Sequence, residues 1–113
     1  MPFINTKTTA KLDTGATERL TKELGRAIEL IPGKTEKWLM LNFEGECKMA
    51  FAGAMGDCCL VEVELLGSAT DEAYDAMTKE ITAIISKETK IPSNRIYVKY
   101  EEISHWGFDG FNF

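Results

Sequence analysis

The 113-residue chain spells one strand–helix–strand unit twice, and that repetition restricts its fold more than any other feature. Phe3 to Thr8 is short, β-branched at several positions and without helical periodicity, which reads as a strand. From about Thr14 to Leu30, the apolar residues Leu20, Leu24, Ala27, Ile28 and Ile31 share one stripe of a helix. Pro32-Gly33 stops it. Trp38 to Phe43 then reads as a largely apolar strand. The second unit opens with a strand at Cys58 to Leu66. A helix follows from about Thr70 to Thr89, with Ala73, Met77, Ile81, Ile84 and Ile85 on one side. Ile91-Pro92-Ser93-Asn94 ends it, and Arg95 to Tyr100 is the last long strand.

The halves superpose by counting. An offset of 57 carries Leu24, Ala27 and Ile28 onto Ile81, Ile84 and Ile85, and one of 58 carries Trp38, Met40 and Asn42 onto Ile96, Val98 and Tyr100. Two such βαβ units predict an α+β domain, a four-stranded mixed sheet with both helices on one face. Residues 1–113 form that single domain, with units 2–51 and 58–102 and a tail 103–113. The uncovered face would carry Leu39, Leu41 and Phe43, or their alternates, with Leu60, Leu66 and Tyr97. An apolar face of that size calls for a cover. Either subunits associate through it, with Lys48 to Phe51 as an edge strand pairing between them, or the tail folds over it.

A net charge of −5, from 18 acidic and 13 basic residues, argues against nucleic acid as the main partner. No apolar run is long enough to span a membrane. The N-terminus has no secretory signal pattern, so the expected location is the cytosol, or export by a route without a signal. Three cysteines make no disulfide framework, and Cys58-Cys59 inside a strand reads as buried free thiols. One histidine, His105, and no paired CxxC give no expectation of a metal.

Met1-Pro2 is the feature with chemistry in it. Initiator Met is removed before a small residue, which would leave proline at the terminus. Its secondary amine would sit near the optimum for a general base at neutral pH, and burial or a nearby cation would keep it uncharged. The plain alternative is a processed terminus with no catalytic part.

Further residues carry a resemblance. Pro2 before a strand, Gly33-Lys34 after the first helix, Leu66-Gly67, Ile91-Pro92-Ser93-Asn94-Arg95-Ile96-Tyr97 and Trp106 to Phe113 occur in order along the chain. Together they resemble the macrophage migration inhibitory factor branch of the tautomerase superfamily. The resemblance implies a homotrimer with its sheets wrapped into a barrel. It also implies cofactor-free keto–enol tautomerisation of a small α-keto acid or its enol, of the phenylpyruvate or dopachrome type, in pockets at subunit boundaries. Pro2 would be the base. Lys34 would contact the substrate's carboxylate or carbonyl, or else merely favour the dipole of the helix it follows. Leu66 would touch the ligand through its backbone, Tyr97 would flank it, and Phe108 would line the pocket mouth.

Two positions depart from the family pattern. Lys99 stands where an asparagine is usual; strand alternation would turn it toward the pocket beside Tyr97, unless it pairs with Glu62 or Glu101. Cys58 matches the first cysteine of a CxxC whose second position here is Val61, so dithiol chemistry is not expected. The main functional alternative is a cytokine-like protein that binds a receptor. A dehalogenase or decarboxylase would need a carboxylate near Pro2 to activate water, and the sequence marks none.

Overall fold

A computed structural model describes residues 1–113. In chain order the elements are β1 Pro2–Thr8, α1 Thr14–Ala27, β2 Met40–Glu44, β3 Ala50–Phe51, β4 Ala54–Met55, β5 Cys59–Leu66, α2 Asp71–Thr89, β6 Ile96–Ile103, β7 Gly107–Phe108 and β8 Phe111–Asn112. Each helix begins where a side-chain oxygen satisfies a free backbone N–H. Asp13 accepts from Ala16 N–H at 2.8 Å, and Thr70 from Ala73 N–H at 3.1 Å. The α-helical part of α1 stops at Ala27 rather than Leu30. Ile28–Leu30 continue as one 3₁₀ turn, the usual tightening of a helix end. The chain then reverses through Ile31-Pro32-Gly33-Lys34. Lys34 N–H donates to Ile31 C=O at 3.1 Å, and Gly33 sits at φ +81°, the value a type II turn demands after proline. That turn aims Lys34.

The long strands are ordered β2-β1-β5-β6. β1 runs parallel to β2, β5 parallel to β6, and the central pair β1 and β5 is antiparallel. This is the mixed sheet of two βαβ units expected from the sequence. Ile4, Val61, Val63 and Leu65 of the sheet pack with Leu20, Leu24 and Ile28 of the first helical segment and Met77, Ile81 and Ile85 of α2. Both helices therefore cover the same face. Burying each such side chain contributes roughly 1.5–3 kcal/mol, and this layer is where the fold gets its stability.

The sequence left open which alternates of β2 face outward, and the structure decides it. Leu39, Leu41 and Phe43 pack against the core, while Met40, Asn42 and Glu44 face outward. The strand also starts two residues later than expected, because Glu36–Trp38 form a 3₁₀ turn. One offset of 57 now serves throughout. It carries Ile4 to Val61, Leu24 to Ile81, and Leu41 to Val98, all on the helix-covered side. The offset of 58 for the strands was a slip of one residue, which exchanges the two faces of a strand.

The uncovered face is consequently polar through its middle. Asn42 donates to Asn5 at 2.9 Å, Asn5 donates to Glu44 at 3.1 Å, and Lys7 pairs with Glu62 at 3.0 Å. Apolar side chains stand toward its two ends, with Phe3, Met40, Leu66 and Ile103 at one and Leu60 and Tyr97 at the other. The broad apolar patch that the sequence reading wanted covered is absent. Residues 50–51 pair with residues 54–55 in a hairpin of their own.

Cys58 and Cys59 are 2% and 3% exposed, as free thiols, and burial pushes Cys59 up to about 12. Only Cys47 is partly open to solvent. Titration of the native protein with a thiol reagent should therefore label Cys47 quickly. Cys58 and Cys59 should react only on denaturation, because both sulfurs are buried and Cys59 is also held in the unreactive thiol form.

Candidate active site

Segments from four parts of the chain meet at the start of β1 and enclose a cleft of about 510 Å³. Its floor is Met1, Pro2 and Phe3. Pro2 is buried and pairs with Leu65, and as the first residue of a strand it has no ladder N–H to lose. The 3₁₀ turn before β2 contributes Lys37 and Trp38, and the tail contributes Trp106, Gly107 and Phe108. Trp38 and Phe108 meet edge to face at 5.1 Å and 87°, a favoured aromatic geometry. Phe113 stacks on Phe108 at 6.4 Å, and its N–H donates to Trp106 C=O at 2.9 Å, so the tail is tied across the opening.

Two groups bracket the terminus. Leu66 N–H donates to Met1 C=O at 3.0 Å, and the Lys34 ammonium donates to Leu66 C=O at 2.9 Å. The first amine of the chain, on Met1, is held below the ordinary terminal value of 8.0. Burial is the main cause, followed by the charge of Lys34 and a hydrogen bond with it. Pro2 and Phe108 thus line the cleft, and Lys34 and Leu66 stand at its terminal end.

Tyr97 and Lys99 lie elsewhere in the chain. Tyr97 pairs with Leu60, five residues along β5 from the partner of Pro2, which is about 17 Å. It is 62% exposed, with Phe51 edge-on at 5.0 Å. Lys99 shares its side of the strand, as alternation required, but is engaged by Glu62 at 3.2 Å and Glu101 at 3.9 Å. The ion-pair reading of Lys99 describes its place within the chain.

Glu62 holds two lysines. Its carboxyl lies below the ordinary value of 4.5, chiefly through the hydrogen bond from Lys7 and also through that from Lys99. A carboxylate depressed on folding stabilises the fold above its unfolded pKa, and that contribution is lost as pH falls through the folded value. Urea midpoints should therefore hold steady at neutral pH and decline below about 4.5, with a shallower decline in Glu62→Gln.

The sequence reading missed Trp38, Met40, Trp106 and Glu64 as cleft residues. Trp38 was assigned to a strand, and nothing local indicates that the tail returns to β1. Glu64 corrects an explicit expectation. It lines the cleft beside Phe3, its cross-strand partner, so a carboxylate does lie near Pro2.

Comparison with known proteins identifies the family and the fold. A family model described as Macrophage migration inhibitory factor (MIF) matches residues 1–113. The macrophage migration inhibitory factor of Xenopus laevis is 25% identical over 96 residues, covering 83% of this chain and 80% of that protein. The crystal structure of Leishmania major MIF2 superposes with a TM-score of 0.94 at 34% identity, covering 100% of this chain and 97% of that one. A macrophage migration inhibitory factor homologue from Prochlorococcus marinus superposes with a TM-score of 0.88 at 26% identity, covering 98% of each chain. With every residue inside the family match and the fold shared from end to end, the protein belongs to the macrophage migration inhibitory factor family of the tautomerase superfamily.

Proposed function

We propose that the protein is a cofactor-free keto–enol tautomerase acting on α-keto acids such as phenylpyruvate, with Pro2 as general base once Met1 is removed. The observation that carries this reading is the electrostatic setting of the first amine. It lies at the floor of an aromatic-walled cleft, pushed toward the neutral form by burial and by Lys34. Losing Met1 moves the amine one residue inward, onto a buried ring nitrogen, where desolvation acts in the same direction.

The same cleavage removes the carbonyl that Leu66 N–H now serves. That N–H becomes a free donor beside the base, next to the Lys34 ammonium. In the proposed reaction a proton leaves the carbon next to the carbonyl for Pro2 nitrogen and returns to oxygen, or makes the reverse journey. Charge that builds on the substrate's oxygen is met by Lys34 and the Leu66 N–H. Phe108 and Trp38 flank the ring of the substrate.

Tyr97 and Lys99 reach a Pro2 cleft only if it belongs to another copy, which supports a homotrimer with sites at its boundaries. Light scattering checks this against the 12.6 kDa subunit: three times that mass is expected. The activity is tested by following enol–keto conversion of phenylpyruvate by the native, processed protein. Absence of conversion would leave the receptor-binding reading in its place. No helix in the structure is long and apolar enough to cross a membrane.

A further inference from the structure

The charged residues on the open face of the sheet are almost all spoken for. Lys7, Glu62, Lys99 and Glu101 join in ion pairs, and Glu44 accepts hydrogen bonds from Asn5 and Asn42. Glu64 stands apart. It is half-buried, it lines the cleft, and its carboxylate has neither a hydrogen-bond donor nor an ion-pair partner in the chain. Its neighbours across the sheet are Phe3 on one side and Glu101 on the other, so no cation lies opposite it. The lysine on the cleft wall, Lys37, has its ammonium 5.3 Å from the centre of the Trp38 ring instead. A partly desolvated, unpaired carboxylate is a standing demand for a donor, and the rings beside it suit a flat ligand whose charge is positive.

We propose that Glu64 makes this cleft selective for ligands that carry a flat ring and a positively charged nitrogen. Lys34 and Glu64 then give the chain's own part of the site one basic and one acidic pole, and Lys99 of a second copy, where it reaches the cleft, would compete with the ligand for Glu64. The natural substrate would be an aromatic keto acid bearing an amine, its carboxylate toward Lys34 and its ammonium toward Glu64. This substrate class rests on the tautomerase reading; the preference for a cationic ring does not.

The chain has two tryptophans, Trp38 and Trp106, and both line the cleft, so their fluorescence reports its occupancy. The probes are benzylamine and its neutral analogue benzyl alcohol, titrated at pH 7. Native protein is expected to bind benzylamine about tenfold more tightly, the scale of one charged hydrogen bond. The difference should shrink to within twofold in Glu64→Gln and reverse in Glu64→Lys. In native protein it should also narrow as salt is raised, a reading that needs no variant to fold. Benzylamine should slow phenylpyruvate conversion competitively.

Equal binding of the two probes by native protein overturns the proposal, as does a preference that persists in Glu64→Gln. A Glu64→Gln protein of altered mass but unaltered preference also overturns it, since the carboxylate's partner would then be a second copy. If phenylpyruvate is not converted at all, the tautomerase reading falls, while the quenching titrations still decide the role of Glu64.

Discussion

Protein that keeps Met1 should convert phenylpyruvate about 100- to 10,000-fold more slowly than the processed form, the range set by loss of a positioned general base. With Met1 attached, the Pro2 nitrogen is part of a peptide bond, and resonance leaves it no basic lone pair. The amine that remains, on Met1, lies about 3.8 Å further along the chain, measured between α-carbons. A displacement of that size is enough to remove the benefit of positioning. Leu66 N–H is also still occupied by the Met1 carbonyl at 3.0 Å, so the oxygen of the substrate loses a donor at the same time. Pro2→Gly keeps an amine in place but gives up the rigid ring, and its loss should fall at the lower end of the range. Enol–keto conversion followed by absorbance, with the mass of each N-terminus verified, decides the matter. Full activity in the Met1-bearing form would remove Pro2 from the mechanism.

The same assay has a pH signature. A base must be unprotonated to act, and burial and Lys34, which lower the Met1 amine, are expected to act on a Pro2 amine in the same direction. Activity of the processed chain should therefore extend to lower pH than an ordinary terminus would allow. Lys34→Ala takes away one of the influences that depress it, and the acid limb of kcat/KM should then move to higher pH. A limb that stays fixed would show that the Lys34 charge does not reach the base.

Leu24→Ala should lower the stability of the fold by about 3 kcal/mol, within the range found for emptying a buried leucine site. Leu24 is wholly inaccessible to solvent and lies in the layer between α1, α2 and the sheet. Its counterpart at the offset of 57, Ile81, is equally inaccessible, so the two helices meet the sheet through equivalent side chains. Removing three carbons from that layer leaves a cavity that two packed helices cannot close without losing contacts elsewhere. The measurement is the urea midpoint at fixed protein concentration, because association of subunits would make the midpoint depend on concentration. A loss under 1 kcal/mol would mean that the layer relaxes around the gap.

The helices were legible because their periodicity is local. Leu20, Leu24 and Ile28 announce one buried stripe, and Met77, Ile81 and Ile85 another. β5 was legible for a related reason, since Val61-Glu62-Val63-Glu64 alternates and declares its own faces. β2 was not, because Trp38-Leu39-Met40-Leu41 is apolar at every step and carries no parity signal. With the faces of that one strand undecided, the polarity of the open surface could not be read. Of the residues at the cleft and its terminal end, Pro2, Lys34, Leu66 and Phe108 were singled out through an ordered set of motifs. Trp38, Met40, Trp106 and Glu64 belong to no motif and come together only when the tail and the 3₁₀ turn close over β1.

Taken alone, the chain determined the two βαβ units, the buried stripes of their helices and the family they resemble. Each depends on neighbours a few residues apart, or on residue order, and both are written in the sequence. Only the folded structure decided which side of β2 is buried, that Glu62 holds Lys99, and that Glu64 faces the cleft without a partner. Those outcomes depend on strand register and on contacts between residues dozens of positions apart, where a shift of one residue turns a side chain from the core to the solvent.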